Sequence, residues 1–372
     1  MQFVIAQNAI LEALQKIAGV VPTRSTTAVL ENLLFNLNDG AHKITGTDLE
    51  VSVTTEIAVD HMDAPGAVAL PARVLIETVR SLPNIPIRFE KDENHRVKLT
   101  TDQGYYLVSG ISKENFPDVP EQSGKTAFEL DNAMLARMFE KTVFAVSADE
   151  LRPALMGVFL QIMGDEIRMV ATDGHRLSKI VNTGFHSDTQ PIRIIIPPKA
   201  VQIALKHLGE EGKTRLMIGP GALSFNFGKT TLYTRLVEGD YPDYERVIPR
   251  DNDKKLVVNK ALLSSTVKRV ALFSSALTHQ VRFTLSPGKL VVSSEDMDIG
   301  GEAKEELPVQ YQDDVMEIGY NGQYLLDILK HIDTEDAAFL LKTPVRAALI
   351  SPSQFNADES FMMLIMPIKL SA

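Results

Sequence analysis

Hydrophobic and polar residues alternate in several short segments of the chain, while other segments repeat them with helical spacing. Residues 50–57 (EVSVTTEI), 96–101 (RVKLTT) and 289–293 (KLVVS) alternate or are rich in β-branched side chains, which predicts half-buried strands. Six segments are predicted to be helices: 8–18, 72–82, 132–144, 198–208, 260–272 and 322–332. Pro71 and Pro197 directly precede two of them, because the first helical turn does not need the missing N–H. This order predicts an α+β fold with helices packed on antiparallel sheet.

The same landmarks recur along the chain at nearly constant spacing. NAIL at 8–11 is matched 124 residues later by NAML at 132–135, and GTD at 46–48 is matched 125 residues later by ATD at 171–173. SED at 294–296 holds the corresponding place in the last third. Because one third of 372 residues is 124, the spacing divides the chain almost evenly. It predicts three similar domains, each with two helices, at residues 1–123, 124–251 and 252–372.

Composition narrows the class of protein. With 44% hydrophobic and 23% charged residues, the chain can bury several cores and shows no sign of disorder. It has no cysteine, which excludes disulfide bonds, thiolate zinc sites and a cysteine nucleophile. The N-terminal MQFVIAQNAI lacks the pattern of a signal peptide, and no apolar run approaches a membrane span of about 18 residues. We therefore expect a cytoplasmic protein with no membrane partner.

Charge is distributed unevenly between the predicted helices and the rest of the chain. The helical segments hold eleven basic and four acidic residues, a charge of +7, whereas the whole chain carries −10 and the remainder therefore −17. The basic residues are Lys16, Arg73, Arg80, Arg137, Lys141, Lys199, Lys206, Lys260, Lys268, Arg269 and Lys330. This excess predicts a surface that faces a polyanion through phosphate contacts without sequence information. For any single helix, the alternative is an ordinary solvated surface.

Five motifs, taken together, resemble one protein family. They are ATDGHRL at 171–177, GTDLE at 46–50, GDYPDYERVIP at 239–249, MEIGYNGQYLLDIL at 316–329 and MPIKL at 366–370. Taken in chain order and across the whole chain, the sequence resembles the bacterial DNA sliding clamps, the beta subunits of DNA polymerase III. The resemblance implies a head-to-tail homodimeric ring of six similar subdomains, with helices lining the hole and strands forming the outer wall. It implies a processivity factor that encircles duplex DNA and has neither catalytic activity nor a cofactor.

The resemblance also implies a pocket between the second and third domains. It would receive short linear motifs, typically a Gln followed by Leu and Phe, from polymerases, the clamp loader and other replication and repair proteins. The implied residues are Arg152, Leu155, Thr172, Gly174, His175, Arg176, Leu177, Pro242, Arg246, Val247, Tyr324, Val345, Leu364 and Met366. Pro153-Ala154 and Arg346 depart from the family pattern at this pocket, so ligand preference is expected to differ.

Two further sets follow from the resemblance, together with a nucleoid-associated location. Contacts to DNA are implied for Arg24, Arg73, Arg80, Arg137, Lys141, Lys199, Lys206, Lys268 and Arg269. In the dimer, Tyr106 of the first domain would meet Leu272 and Phe273 of the third. The acidic residues implied near this joint, with basic partners such as Arg96, are Glu295, Asp298, Glu302, Glu305 and Glu306.

Other interpretations of the same residues remain open. Leu177, Val247 and Met366 are compatible with plain core packing, and His175 and Arg176 with a satisfied turn. A ring-shaped scaffold that binds proteins but not DNA is a further alternative, which the basic excess on the helices disfavours.

An enzyme is the competing class of protein. Asp48, Asp173 and Asp296 would be metal ligands of a nuclease, or His175 beside Asp173 a general base. Against this, the three aspartates occupy equivalent positions of separate domains, so each is expected to serve its own turn. Residues 228–230 (GKT) do not form a P-loop, because position 223 is leucine and not glycine.

Overall fold

The fold is described from a computed structural model for residues 1–38, 41–119, 126–296 and 300–370. The helices in these ranges are α1 (Gln7–Ala18), α2 (Ala72–Ser81), α3 (Asn132–Glu140), α4 (Pro198–His207), α5 (Lys260–Val270) and α6 (Gly322–Lys330). Every predicted helical segment overlaps one of them, and α1 begins one residue before its predicted segment. Five predicted segments extend one to four residues beyond their helix; after α3 and α5, 3₁₀ turns at Val143–Ala145 and Ala271–Phe273 continue the apolar pattern. Asp298 and the boundary expected between residues 123 and 124 lie outside the described residues.

Strands make up most of the remaining described structure. The first nine are β1 (Gln2–Ala6), β2 (Asn32–Leu37), β3 (His42–Thr47), β4 (Val51–Glu56), β5 (His61–Ala64), β6 (Gly66–Pro71), β7 (Pro86–Lys91), β8 (Arg96–Thr101) and β9 (Gly104–Ser109). The next eight are β10 (Thr126–Asp131), β11 (Val158–Ile162), β12 (Ile167–Thr172), β13 (Arg176–Asn182), β14 (Ile192–Ile196), β15 (Lys213–Gly219), β16 (Ala222–Phe227) and β17 (Thr230–Arg235). The last eight are β18 (Lys254–Asn259), β19 (Gln280–Ser286), β20 (Lys289–Asp296), β21 (Gly301–Pro308), β22 (Met316–Asn321), β23 (Asp336–Leu341), β24 (Ala348–Pro352) and β25 (Glu359–Ile365).

The chain folds into two compact units, of which unit 1 comprises Met1–Ala136 and Lys199–Leu236. It contains a five-stranded sheet, β5-β1-β7-β8-β9, and an eight-stranded sheet, β10-β15-β16-β17-β4-β3-β2-β6. Neighbouring strands are antiparallel throughout both sheets. Ile10, Leu14 and Ile17 lie on one face of α1 and are buried where this helix packs on α2, β3 and β4.

Unit 2 comprises Arg137–Pro198 and Val237–Ala372 and repeats this construction. Its eight-stranded sheet has the order β14-β11-β12-β13-β25-β24-β23-β18, and its four-stranded sheet the order β21-β20-β19-β22. All of these pairs are antiparallel as well. α5 buries Leu263, Val267 and Val270 and packs on α6, β20 and β21. The predicted α+β fold, with helices on antiparallel sheet, is confirmed. None of the described helices combines the length and apolarity needed to cross a lipid bilayer.

The turn after β3 in unit 1 is built by one threonine and one aspartate. Asp48 Oδ1 accepts hydrogen bonds from the backbone N–H groups of Glu50 and Val51, at 3.0 and 2.7 Å. Thr47 Oγ1 donates to the carbonyl of Val51 at 3.0 Å. Leu49, inside this turn, has a φ of 81°, a left-handed conformation that a residue with a side chain rarely adopts.

The turn after β12 in unit 2 uses the same hydrogen bonds. Asp173 Oδ1 accepts from the N–H groups of His175 and Arg176, at 2.8 and 2.9 Å, and Thr172 Oγ1 donates to the carbonyl of Arg176 at 2.6 Å. The equivalent of Leu49 is a glycine, Gly174, with a φ of 90°. Asp48 and Asp173 therefore each serve their own turn, as the repeat predicts.

Candidate functional site

A cavity of about 450 Å³ lies in unit 2 at the pairing of β13 with β25. Leu177 and Leu364, direct partners in that pairing, form its floor. It is lined by Leu155, Thr172, Gly174, Arg176, Leu177, Pro242, Asp243, Tyr244, Arg246, Val247, Ile248, Pro249, Val345, Arg346, Ala347, Leu364 and Met366. Eleven of these seventeen residues belong to the fourteen that the sequence assigns to peptide binding.

The cavity is apolar because its wall belongs to a buried cluster. The cluster consists of Phe159, Val170, Leu177, Ile195, Tyr244, Ala347 and Leu364. Tyr244 donates its hydroxyl hydrogen bond to Gln161 Oε1 at 2.6 Å, so the polar end of this ring is satisfied. Burial raises the pKa of Tyr244, which keeps the phenol neutral at physiological pH.

Three apolar side chains at the opening of the cavity are exposed to solvent. The exposed fraction is 74% for Val345, 57% for Val247 and 42% for Met366, against 2% for Leu177. Val247 and Met366 are therefore not packed in the core, whereas Leu177 is a buried residue of the cavity wall. Exposed apolar side chains beside a concave apolar wall are typical of ligand sites.

The turn at Gly174 forms one side of the cavity. The Gly174 N–H donates to Thr172 Oγ1 at 3.1 Å. Arg152 donates to the carbonyl of Asp173 at 3.3 Å and to Asp149 Oδ2 at 2.8 Å. A Cβ atom at position 174 would lie 2.9 Å from Arg152 Nη1. Glycine thus permits both the left-handed backbone and the close approach of the guanidinium group.

Arg176 is held by acceptors on three sides. Its Nε donates to Asp173 Oδ2 at 3.1 Å, Nη1 to Asp327 Oδ2 at 2.6 Å, and Nη2 to the Phe144 carbonyl at 2.9 Å. The guanidinium also lies over the Phe144 ring, 5.4 Å from its centroid. Because the side chain is nearly buried, these partners fix its position at the cavity wall and tie the turn to α6.

Arg152, His175 and Tyr324 were assigned to peptide binding but do not line the cavity. The His175 and Tyr324 rings stack with centroids 6.2 Å apart, and the Arg176 guanidinium lies 4.5 Å from the Tyr324 centroid. Partial burial raises the pKa of Tyr324, and nearby Asp173 adds to this effect. All three residues therefore surround the same turn, beside the cavity.

Two residues assigned to DNA contact are instead engaged by carboxylates of unit 2. Lys141 Nζ lies 2.6 Å from Asp333 Oδ1, and its side chain is only 6% exposed. Burial lowers the pKa of Lys141. Arg137 pairs with Asp333 at 2.7 Å and with Glu359 at 2.5 Å. The ammonium of Lys141 is thus buried and paired, and the charge of Arg137 is compensated within the unit.

The other seven residues assigned to DNA are exposed or half-buried. Four of them form no ion pair within the described part of the chain: Arg24, Arg80, Lys206 and Lys268. The other three each pair with a carboxylate: Arg73 with Glu77 at 3.1 Å, Lys199 with Asp48 at 2.5 Å and Arg269 with Glu305 at 2.6 Å. No group of three or more His, Asp or Glu side chains suited to a metal ion occurs among the described residues.

Sequence models of one family match the chain in three consecutive stretches. They describe the N-terminal, central and C-terminal domains of the DNA polymerase III beta subunit, and they match residues 1–120, 129–243 and 245–369. The chain belongs to the DNA polymerase III beta subunit family, the beta sliding clamps. It is thus a DNA sliding clamp, a non-catalytic accessory subunit, as the motifs predict.

Known relatives extend over the full length of this sliding clamp. The beta sliding clamps of Pseudomonas aeruginosa and Escherichia coli K12 are 32% and 30% identical to it over 371 residues, with 100% of each chain covered. The crystal structure of the P. aeruginosa clamp bound to griselimycin superposes with a TM-score of 0.93 at 32% identity, covering 100% of both chains. The griselimycin-bound clamp of Bartonella birtlesii gives a TM-score of 0.93 at 31% identity, with the same coverage.

The residues assigned to the dimer contact of the clamp are exposed. Tyr106 lies on β9, the edge strand of the five-stranded sheet in unit 1. Leu272 and Phe273 lie in the 3₁₀ turn that follows α5 in unit 2, where β21 is the edge strand of the four-stranded sheet. Three of the charged residues expected at the joint have partners within the chain: Glu305 with Arg269, Glu306 with Lys289, and Arg96 with Asp92.

Sequence reasoning missed five residues of the cavity. They are Asp243, Tyr244, Ile248, Pro249 and Ala347, while Arg346 is predicted only as a departure near the wall. Four of the five lie inside the motif GDYPDYERVIP, which supplies other assigned residues. Their position within this motif could have identified these four residues, because a 3₁₀ turn at Tyr244–Val247 brings neighbouring residues to one cavity.

Proposed function

We propose that this clamp encircles duplex DNA as a head-to-tail homodimer and tethers the clamp loader, DNA polymerases and other replication and repair proteins. The tether is a short linear motif bound in the cavity of unit 2. The observation that carries this proposal is an apolar cavity with exposed Val345, Val247 and Met366 at its opening, in a chain of the sliding clamp family. With duplex DNA as partner, the protein would work in the cytoplasm at the nucleoid.

The proposed peptide site combines an apolar floor with a polar turn. Leu177 and Leu364 supply a surface for Leu and Phe side chains of the motif, whose burial is the main favourable term. The hydrogen-bonding groups around Gly174, including Arg152 and His175, are available for the polar part of the motif. All fourteen residues assigned from the sequence are retained in this proposal, since they line the cavity or surround its turn.

The proposed DNA surface consists of cations that are exposed or only partly compensated. It keeps Arg24, Arg73, Arg80, Lys199, Lys206, Lys268 and Arg269, and it leaves out Lys141 and Arg137. Contacts of such residues to phosphate are sequence-independent and weaken with salt. This property suits a protein that moves along DNA and is retained by encirclement.

The proposed dimer joins an edge of unit 1 in one protomer to an edge of unit 2 in its partner. Support comes from β9 and β21, which end their sheets, and from the exposed Tyr106, Leu272 and Phe273. Edge strands with exposed apolar side chains are templates for strand pairing between chains. We further propose three domains with limits near 1–123, 124–251 and 252–372, in line with the three matched stretches.

The deciding experiment measures retention of the purified clamp on nicked circular DNA, loaded with a clamp loader and ATP, before and after linearisation. Loss upon linearisation is expected, because a ring held by topology slides off an end. Retention on the linear molecule would sink the encirclement proposal, and no loading at all would favour a scaffold that binds proteins only.

A charge-reversal variant tests the DNA surface in the same assay. R24E/R80E/K206E should load less well while remaining a dimer in sedimentation. The matched control R193E/K213E/K255E reverses three exposed cations outside the proposed surface and should load normally. Equal loading by both variants would remove these residues from the DNA surface.

A further inference from the structure

A second cleft, of about 460 Å³, adjoins the apolar cavity of unit 2. It is lined by Asp243, Glu245, Arg246, Ile248, Arg250, Asp251 and Arg346. Four of these residues, Asp243, Arg246, Ile248 and Arg346, also line the apolar cavity, so the two depressions are continuous. A peptide that leaves the apolar cavity past Ile248 enters a cleft whose other six residues are all charged.

The three arginines of this cleft are not equally compensated. Arg246 Nε lies 2.8 Å from Asp243 Oδ2, and Arg346 Nη2 lies 2.7 Å from Asp251 Oδ1. Arg250 is exposed and forms no ion pair or side-chain hydrogen bond within the described part of the chain. Half of the Arg346 side chain is exposed as well, and one of its five N–H donors accounts for the contact with Asp251.

The acidic residues of the cleft are already engaged. Glu245 Oε1 lies 2.5 Å from Lys179 Nζ and 3.5 Å from Arg168 Nη1, so its charge is compensated by residues outside the cleft. Asp243 and Asp251 are paired one to one with Arg246 and Arg346. After this pairing, the positive charge of Arg250 remains uncompensated. The N–H donors of Arg346 that do not contact Asp251 line the same cleft.

We propose that this cleft is a carboxylate subsite, in which Arg250 and Arg346 bind an Asp or Glu side chain that flanks the motif. The proposal rests on the peptide-binding function proposed above and names the ligand class that this clamp favours. Guanidinium groups bind carboxylates through paired, charge-assisted hydrogen bonds, which a neutral flanking residue cannot form. Arg346, a departure from the family pattern, would thus act as a specificity-determining residue.

The experiment uses fluorescence anisotropy with three labelled peptides at about 50 mM salt. All three carry the same Gln, Leu and Phe motif; one has Gly-Ser flanks, one has Asp-Asp before the motif and one has Asp-Asp after it. The wild-type clamp should bind one of the two acidic peptides about two- to five-fold more tightly than the neutral one, the range of an exposed ion pair. The gain should disappear at about 500 mM salt, because exposed charges are screened.

Two variants with equal net charge locate the effect. R250Q/R346Q should bind all three peptides alike. R250Q, at a residue that lies outside the apolar cavity, should weaken the preference and keep the wild-type affinity for the neutral peptide. The control R193Q/K342Q removes one unpaired and one paired cation elsewhere in unit 2, and it should retain the preference for the acidic peptide.

The outcomes separate this proposal from the one on which it rests. The carboxylate subsite is overturned if neither acidic peptide binds more tightly than the neutral one. It is also overturned if the tighter binding persists in R250Q/R346Q. An equal loss of affinity for all peptides in R250Q also overturns it, since Arg250 would then act on the motif or on the fold. Failure of the wild-type clamp to bind the neutral peptide refutes the peptide-binding function itself.

Discussion

Unit 1 and unit 2 repeat the same strand pairing, yet its side chains differ in character. In unit 2 a line of leucines crosses three strands: Leu177 on β13, Leu364 on β25 and Leu349 on β24. The equivalent line in unit 1 is Ser52 on β4, Tyr233 on β17 and Ser224 on β16. Each line borders a depression, whose volume is about 450 Å³ in unit 2 and about 760 Å³ in unit 1. A repeated backbone therefore provides two depressions, and side chains decide what each accepts.

The depression in unit 1 is polar and satisfies many of its own groups. The hydroxyls of Thr45 and Thr54 lie 2.9 Å apart, and Ser52 bonds to Thr47 at 2.7 Å. An apolar peptide pressed against these groups would remove their remaining water without replacing its hydrogen bonds, which costs free energy. The motif is therefore expected to bind in unit 2 alone.

The largest effect is expected from shortening the floor of the cavity. Leu177→Ala should weaken binding of a motif peptide by about 2 kcal/mol or more and lower the free energy of unfolding by about 2–5 kcal/mol. The control Ser52→Ala loses one hydrogen bond in unit 1, about 1 kcal/mol of stability, with no change in peptide affinity. Calorimetric titration and denaturant unfolding measure both quantities. Unchanged affinity in Leu177→Ala would place the peptide elsewhere.

A second prediction exchanges the residues at the left-handed turn position. Gly174→Leu should destabilise the clamp by about 1–2 kcal/mol and displace Arg152, which lowers peptide affinity. Leu49→Gly relieves the same backbone strain in unit 1 and should raise stability by up to about 1 kcal/mol. Unfolding in urea checks the opposite signs. If both substitutions shift the midpoint in the same direction, backbone strain does not govern these turns.

A third prediction separates binding from folding. Met366 is partly exposed at the opening of the cavity, so Met366→Ala should reduce peptide affinity by about 1 kcal/mol with little change in the unfolding midpoint. Leu340→Ala, at a similarly exposed leucine that does not line the cavity, serves as the control. Equal affinities in the two variants would exclude Met366 from the peptide contact.

The smallest effect concerns pH and two equivalent histidines. Burial lowers the pKa of His207, at the end of α4, and that of His331, directly after α6. The unfolded chain, with a histidine pKa of about 6.5, then binds protons more readily than the folded one, so stability falls as the pH drops through 6.5. Urea unfolding at pH 7.5 and 5.5 should show this fall, and His207→Gln with His331→Gln should reduce it. An unchanged slope in the double variant would assign the pH dependence to other groups.

Much of this architecture could be predicted from local sequence. Period-2 spacing located strands such as β4 and β8, helical spacing located the helices, and the Thr-Asp turns follow from short-range hydrogen bonds that their own residues supply. The helix ends were less predictable, because the 3₁₀ turn at Ala271–Phe273 continues the apolar pattern of α5. Interactions between residues close in the sequence could therefore be predicted, whereas the ends of the helices could not.

The ion pairs of Lys141 and Arg137 show what local patterns do not reveal. Its partner Asp333 lies 192 residues away, and Glu359, the partner of Arg137, lies 222 residues from that arginine. Lys141 directly follows α3, and its N–H donates to the Arg137 carbonyl at 2.9 Å, but nothing nearby in the sequence shows that carboxylates cover the two cations. The polar depression of unit 1 escaped prediction for a related reason: alternating Ser and Thr in β4 are also typical of a solvated strand face.

The pairing of β13 with β25 has a mechanical consequence. It runs without a break from Arg176 opposite Ile365 to Asn182 opposite Glu359, and it joins a strand of the matched central domain to one of the C-terminal domain. Force applied along these strands would load their hydrogen bonds in parallel. This junction is therefore expected to be rigid and not to act as a hinge. Their amide protons should be among the last to exchange with deuterium when the protein is strained or heated.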